Sequence, residues 1–515
     1  MKEQFIPKTF VPPLFLWESS AAIQSDWKII IQTPIDKFSF KSKNNTWHIP
    51  FTEWEKIRDN SIDKPIIAVI SGKTRQGVIL TGKVTFSISQ HSVEGNILYR
   101  HFPVPHGFQL SHYHLTRYKL VNLSNNNSPK TIIQPSDDKI NSCLGCHSVS
   151  QDGKKLVLIS KVAYDAQRSP ILSPLKKESL IIVNADSKIN FPQQEDILSY
   201  KTISSLFVTD PMFNFPGGFT EPRISPDGRH VAIIVNVKSA GYYAINTIKR
   251  PFSINPLTSN IGIYSIIEKR LWMLSGAHRP GYIHSTPMWS ADGKFITYAF
   301  AKRPAESKTE PTDLYFIELD PKKHYFMPEG MEFDLYTIPF NNGKGGTPKV
   351  IKATQNNGFF DYFPEYSPNG KWIVYTSSKY GTNVFLNPDS TLYIVSAEGD
   401  GTAKKLSSNF KGVMNSWHKF SLDGNWLLFK ARPDGTNTEF FLTHIDASGN
   451  DTPPILIDGL TKNDLYRANI PVFTNLDPET VIKFPSDGYC NAHKYTYEKE
   501  ILTCVLCHSY NPDIK

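Results

Sequence analysis

The chain reads as an all-β protein: an immunoglobulin-like β-sandwich near the N-terminus, a β-propeller of six blades (seven is the alternative count), and a short C-terminal tail. Three observations predict this. A turn signature recurs five times beyond residue 148, and the residues ahead of it form short runs of alternating polarity. The composition also favours short strands and frequent turns over long helices, with 37 Pro, 30 Gly, 32 Phe, 23 Tyr and 9 Trp among 515 residues. A chain of this length exceeds one ordinary hydrophobic core, so more than one domain is expected.

Residues 1–20 are Pro-rich and read as an extended arm. Residues 21–125 form the expected sandwich domain, with WKIIIQ, PIIAVIS, GVILTGKVTFSIS and NILYRHF as strands. Strands of this number and length are similar to those of immunoglobulin or fibronectin modules. Between them, Thr52-Glu53-Trp54-Glu55 has capping-box spacing and predicts the start of a short helix. Residues 126–148 form a separate segment, 149–486 the propeller and 487–515 the tail.

The propeller rests on a repeat: SVSQDGKKLVLISK (148–161), EPRISPDGRHVAIIVNVK (221–238), TPMWSADGKFITYAFAK (286–302), FPEYSPNGKWIVYTSSK (363–379) and WHKFSLDGNWLLFKARP (417–433). Each carries a Ser, an Asp-Gly or Asn-Gly turn and then a β-run. The glycine supplies the positive φ that a tight hairpin needs. The turn glycines, Gly153, Gly228, Gly293, Gly370 and Gly424, stand 54 to 77 residues apart. That spacing fits a four-stranded blade of about 40–50 residues with loop insertions. IPVFTNLDPETVIKF (470–484) reads as a worn sixth copy.

Only five cysteines occur, and four of them form two pairs with the same context: Cys143-Leu144-Gly145-Cys146-His147 and Cys504-Val505-Leu506-Cys507-His508. In C-x-x-C-H, two thiols can each add to a haem vinyl group while the adjacent histidine ligates the iron. Two covalently bound haem c groups are therefore expected, with His147 and His508 as proximal ligands. A zinc site built from the four cysteines is the competing reading, but it does not require histidine after both pairs. Cys490 is left over and reads as a small buried residue.

The turn residues Ser225-Pro226-Asp227-Gly228 and Ser367-Pro368-Asn369-Gly370 resemble the blade signature of the TolB-like β-propeller family. The order of a sandwich, a C-x-x-C-H and then such blades resembles a group of exported bacterial propeller cytochromes, over about residues 25–485. It is also distantly similar to the propeller and haem subunit of hydrazine synthase. The resemblance implies an extracytoplasmic, periplasm-type location and a place in a larger redox complex. The N-terminal residues lack a signal-peptide pattern, so the export signal is expected to be missing from the numbered chain.

The distal ligands decide whether a haem only transfers electrons or also reacts. Candidates for the first haem are His101, His106, His112 and His114, with His278 and His284 as competitors. For the second haem the nearest candidate is His493. Met288 and Met414 read as blade core. No G-x-S-x-G, H-E-x-x-H or phosphate loop is present. An electron-transferring scaffold with a protein redox partner is thus expected. The alternative is a redox enzyme subunit whose five-coordinate haem acts on a small nitrogen or oxygen compound. The net charge of +8 is dispersed, which argues against a nucleic-acid partner, and no stretch is apolar enough to cross a bilayer.

Overall fold

The computed structural model describes residues 4–20, 22–23, 26–103, 115–124, 128–133, 142–162, 179–192, 196–199, 218–243, 253–303, 315–318, 331–379, 381, 384–433, 438–460, 466–483, 495–498 and 501–504. His106, His112, His114, Cys490, His493, Cys507 and His508 lie outside them, and of Cys143 and Cys504 only the backbone is described.

The repeat folds as expected, into a ring of six four-stranded blades. In blade 1 the inner strand Ser142–Val149 pairs with Lys155–Val162, then Ser179–Asn184 and Ile197–Ser199. The inner strands of blades 2 to 5 are Gly218–Ile224, Tyr282–Trp289, Phe360–Tyr366 and Asn415–Phe420. Blade 6 closes the ring from both chain ends. Its inner strand is Tyr466–Thr474, and its outer strands are Asn96–Pro103, Arg117–Asn122 and Lys130–Ile133. Phe473 pairs with Ile97 and Ala468 with His101.

The five turns share one construction. The serine hydroxyl donates to the Asp or Asn side chain two residues on, at 2.5–2.7 Å in every copy. The same oxygen accepts the backbone N–H five residues on, at 2.9 Å for Lys155 and 3.1 Å for Trp426. Each turn glycine is left-handed, with φ from 67° at Gly228 to 77° at Gly424. The worn sixth copy has no such glycine. Its Thr474 hydroxyl accepts from Leu476 N at 3.0 Å, and the chain runs on to the outer edge of the same sheet, where Val481–Ile482 pairs with Lys130–Ile133.

Each blade is covered on both faces, so its second strand is apolar at nearly every position rather than at every other one. In blade 1, Val157 and Ile159 pack toward blade 2 with Ile224 and Val231, while Leu156 and Leu158 pack toward blade 6 with Leu98 and Leu120. Comparable clusters fill the other seams.

Two expectations are corrected here. Residues 96–133 belong to the propeller, so the N-terminal unit ends before Asn96 rather than at 125. The segment 126–148 is likewise no separate piece: it is shared between blades 6 and 1, and the first C-x-x-C-H lies in the inner strand of blade 1. A run such as NILYRHF has no local mark that tells one sheet from another, because pairing is decided by partners far along the chain.

The N-terminal unit also differs from an immunoglobulin-like sandwich. Its strands are β1 (Gln4–Ile6), β2 (Leu14–Leu16), β3 (Trp27–Gln32), β4 (Lys37–Ser42), β5 (Thr46–His48), β6 (Pro65–Lys73) and β7 (Ile79–Ile88). Five of them make one sheet in the order β1-β7-β6-β3-β4, and β2 and β5 form a separate ribbon. In place of a second facing sheet, the core of this unit is completed by helix α1 (Phe51–Asn60), the ribbon and blade 5 residues such as Trp426 and Phe440. The proposed arm is woven in through β1 and β2. Helix α1 forms where expected but starts two residues early. Pro50 occupies the cap, and the Thr52 hydroxyl donates to the neighbouring Glu53 carboxylate instead of capping. Trp54 is fully buried and its Nε1–H donates to Phe10 O at 2.8 Å. Tethers to the propeller run from Gln4 Nε2 to Pro454 O (2.6 Å) and from Trp426 Nε1 to Ser92 O (3.0 Å).

Candidate functional site in the axial channel

Every inner strand carries a register shift, between Leu144 and His147 in blade 1 and one residue nearer the turn in the other five. A bulge of this kind bends the strand and re-aims the side chains that follow it. In five blades a left-handed residue sits at the shift: Glu221, Thr286, Phe363, Trp417 and Ile470, with φ between 49° and 54°. The next residue is Pro222, Pro287, Pro364, His418 or Pro471. Counted back from the turn serine, Cys146 and His147 occupy those two positions in blade 1. The last two residues of the first motif therefore coincide with a pair that every blade possesses.

One position further on, Ser148, Arg223, Met288, Glu365, Lys419 and Val472 line the axial channel, where a cavity of about 410 Å³ lies. His147, Phe363, Trp417 and Ile470 also line it. Phe363 and Trp417 are stacked, with centroids 4.7 Å apart, and form an aromatic shelf. Glu365 and Lys419 make an ion pair whose side chains are 14% and 17% exposed. Arg223 Nε has no hydrogen-bond partner among the described residues, and its NH1 donates to Pro222 O at 3.1 Å.

His147 and His418 stand at equivalent positions, both buried, yet their rings differ. His418 is satisfied: Nε2 lies 3.0 Å from Val374 O and Nδ1 3.4 Å from the Thr376 hydroxyl. His147 is 1% exposed and neither ring nitrogen has a hydrogen-bond partner among the described residues. The Leu98 backbone faces the ring and offsets a small part of the burial effect, without making a hydrogen bond of normal geometry. The Tyr118 ring packs edge-on against the imidazole at 4.9 Å, and the Tyr118 hydroxyl donates to Gly145 O. Burial first, then the charges of Arg223, Arg100 and Lys419, pull the His147 pKa down to about 3. The ring is therefore neutral at ordinary pH, the form that ligates a metal. An orphaned, neutral, buried imidazole fits the role of an axial ligand. The Cys146 thiol beside it is half-buried and in no disulfide among the described residues.

The other sequence candidates are distributed as follows. His101 is buried but faces blade 5, stacked on Tyr466 at 4.7 Å, because strand alternation puts it opposite Arg100 and Tyr118. Burial, with Lys119 and Arg117, lowers its pKa to about 3. His284 is buried in blade 3, its Nδ1 3.0 Å from Ser259 O, and it is not part of the channel lining. His278 lies 3.1 Å from Leu274 O. Met414 is core as expected, whereas Met288 is half-buried and shows one side to the channel. Among the described residues no group of three or more His, Cys, Asp or Glu could hold a metal ion. The channel residues Arg223, Glu365 and Lys419 were missed. Aligning the repeats on their serines would have marked them, since they occupy one column two residues before it.

No protein-family model and no curated protein matches the chain. Among solved structures it is similar to TolB from Acinetobacter baumannii, at 12% identity and TM-score 0.41, over 79% of each chain. A putative TolB from Agrobacterium tumefaciens follows at 14% and 0.34, over 70% of this chain and 88% of that one. Kuenenia stuttgartiensis hydrazine synthase is similar at 12% and 0.31, over 75% and 94%. The six blades themselves rest on the strand pairing above. No described helix is long and apolar enough to cross a membrane.

Proposed function

We propose that this chain is an exported dihaem c-type cytochrome whose propeller is a rigid docking scaffold within a larger redox complex. The observation that carries the reading is the contrast between two buried histidines in one repeat position. His418, with no cysteine near it in sequence, is hydrogen-bonded at both nitrogens, whereas His147, the histidine of a C-x-x-C-H, is bonded at neither among the described residues. A buried polar group without a partner costs about 1–3 kcal/mol, and a ligand on the ring would remove that cost.

Haem iron held there supplies one-electron redox chemistry. The chain's own part is to present one neutral imidazole nitrogen and to hold its plane. Tyr118 does the second by packing on the ring and anchoring its hydroxyl to Gly145 O in the motif. The inner-strand location sets that ligand in a frame buried on both sides, so it moves little between redox states. His508 is the matching ligand of the second haem. The scaffold reading is supported by what the described residues place around the channel: an ion pair, an arginine and an aromatic shelf on rigid inner strands.

The test is direct. The chain, given an export signal, is produced in a host competent in cytochrome c maturation, then weighed intact and assayed as its pyridine haemochrome. Two covalent haem increments per chain are expected, and one after Cys143 and Cys146 are both changed to Ser. A colourless protein of unmodified mass would end the proposal.

A further inference from the structure

The channel around His147 is lined by two acids, Glu94 and Glu365, and two bases, Arg223 and Lys419, and only one base is ion-paired among the described residues. Lys419 has a partner in Glu365, and both are largely buried. Glu221 is turned to blade 3, where its carboxylate accepts from Thr286 N at 2.7 Å. Arg223 also lines the cavity, half-buried, and no described carboxylate lies within ion-pair reach of it. Among the described residues its guanidinium bonds to the neighbouring Pro222 carbonyl. Guanidinium is the side chain best suited to a carboxylate, through two parallel N–H bonds. An arginine held facing a cavity without a counter-ion is set for an anionic ligand.

The rest of the lining says what the ligand's body is. Phe363 and Trp417 offer a flat apolar face, and Met288, Ile470 and Val472 are apolar as well. The column that supplies Arg223 also supplies Glu365 and Lys419, which pair with each other, and the uncharged Ser148, Met288 and Val472, so Arg223 is its one charge outside an ion pair among the described residues. Flat apolar body and carboxylate together describe a porphyrin bearing propionates.

We infer that Arg223 is the carboxylate-binding residue of the channel, pairing with a propionate of the haem that His147 ligates, with Phe363 and Trp417 as the apolar wall. This rests on the haem reading above and adds to it a location, the axial channel, and a residue that sets the potential. Arg223 is a positioning and tuning residue; it does not ligate iron. Pairing the propionate with a cation lowers the negative charge felt by the iron, which favours the reduced form.

The experiment uses the full chain with Cys504→Ser and Cys507→Ser, so that only the first haem remains. In that background Arg223→Gln and Arg223→Lys are compared by haemochrome content and by redox titration. Haem content is expected to be unchanged, because attachment is covalent. The midpoint of Arg223→Gln is expected to fall by at least a tenfold change in the reduction equilibrium, about 59 mV for one electron, and Arg223→Lys to recover a large part of it. Thermal melts of the three proteins separate tuning from misfolding, and the Lys variant keeps the test valid if the Gln variant folds poorly. A haem-loaded Arg223→Gln protein with an unchanged midpoint overturns the inference while leaving the haem reading standing. Absence of haem from all three proteins overturns the haem reading itself, and the inference with it.

Discussion

Replacing His147 by Leu separates a ligand from a structural histidine, because the two roles predict opposite signs in the chain made without haem. The imidazole is 1% exposed, and neither nitrogen has a hydrogen-bond partner among the described residues. Exchange for an apolar side chain of similar size removes buried polar atoms that gain nothing, so cofactor-free His147→Leu is expected to be more stable than the parent by about 1–3 kcal/mol. His418→Leu is the control. It deletes the contacts to Val374 O and Thr376 and is expected to cost about 1–3 kcal/mol. The pH dependence adds a second signature. His147 titrates near 3 in the folded chain against 6.5 when unfolded, so below 6.5 the unfolded chain takes up a proton that the folded one refuses. Its contribution is neutral above pH 6.5 and becomes a loss as pH falls toward 3, reaching about 2 kcal/mol at pH 5. Urea unfolding midpoints at pH 8 and pH 5 measure both effects, and His147→Leu is expected to be less acid-sensitive by that amount. If His147→Leu weakens the cofactor-free chain as much as His418→Leu does, His147 has a structural partner and the reasoning fails.

Other predictions follow from the same framework. Gly153→Ala meets both a φ of +73° and a Cβ only 2.5 Å from the Asn475 carbonyl carbon, whereas Gly370→Ala at φ +70° has open space around it. The first is expected to lower the thermal midpoint clearly more than the second, which bears only the roughly 1 kcal/mol cost of a left-handed non-glycine residue; equal shifts would show that the blade 1 turn does not press on the closing strand. Lys419→Met strands the buried Glu365 carboxylate and is expected to cost about 3–5 kcal/mol, most of it recovered by adding Glu365→Leu, as read by denaturant unfolding. Tyr118→Phe removes a buried hydroxyl that donates to Gly145 O, so a loss of about 1–2 kcal/mol is expected, together with a broadened haem signal in the electron paramagnetic resonance spectrum of the loaded protein. Stability and line shape both unchanged would show that Tyr118 does not hold the ligand plane.

The turn signature was legible because everything that makes it is local. Ser, Asp or Asn, and Gly lie within four residues, their hydrogen bonds close within six, and the left-handed glycine is dictated by the turn itself. That is why five blades could be counted before any coordinates, and why the two C-x-x-C-H pentapeptides stood out. The composition of the sequence likewise settled the all-β class. What it could not disclose was non-local. The pairing of Ile97 with Phe473 joins residues at opposite ends of the chain, and neither strand carries a mark of its partner, so the N-terminal unit was drawn too long and the sixth blade looked merely worn. Nor did the sequence show that the first motif is a blade's inner strand, that His101 faces away from His147, or that Arg223, Glu365 and Lys419 meet in one channel. Those facts depend on how six bulged strands converge on an axis, and only the closed ring decides that.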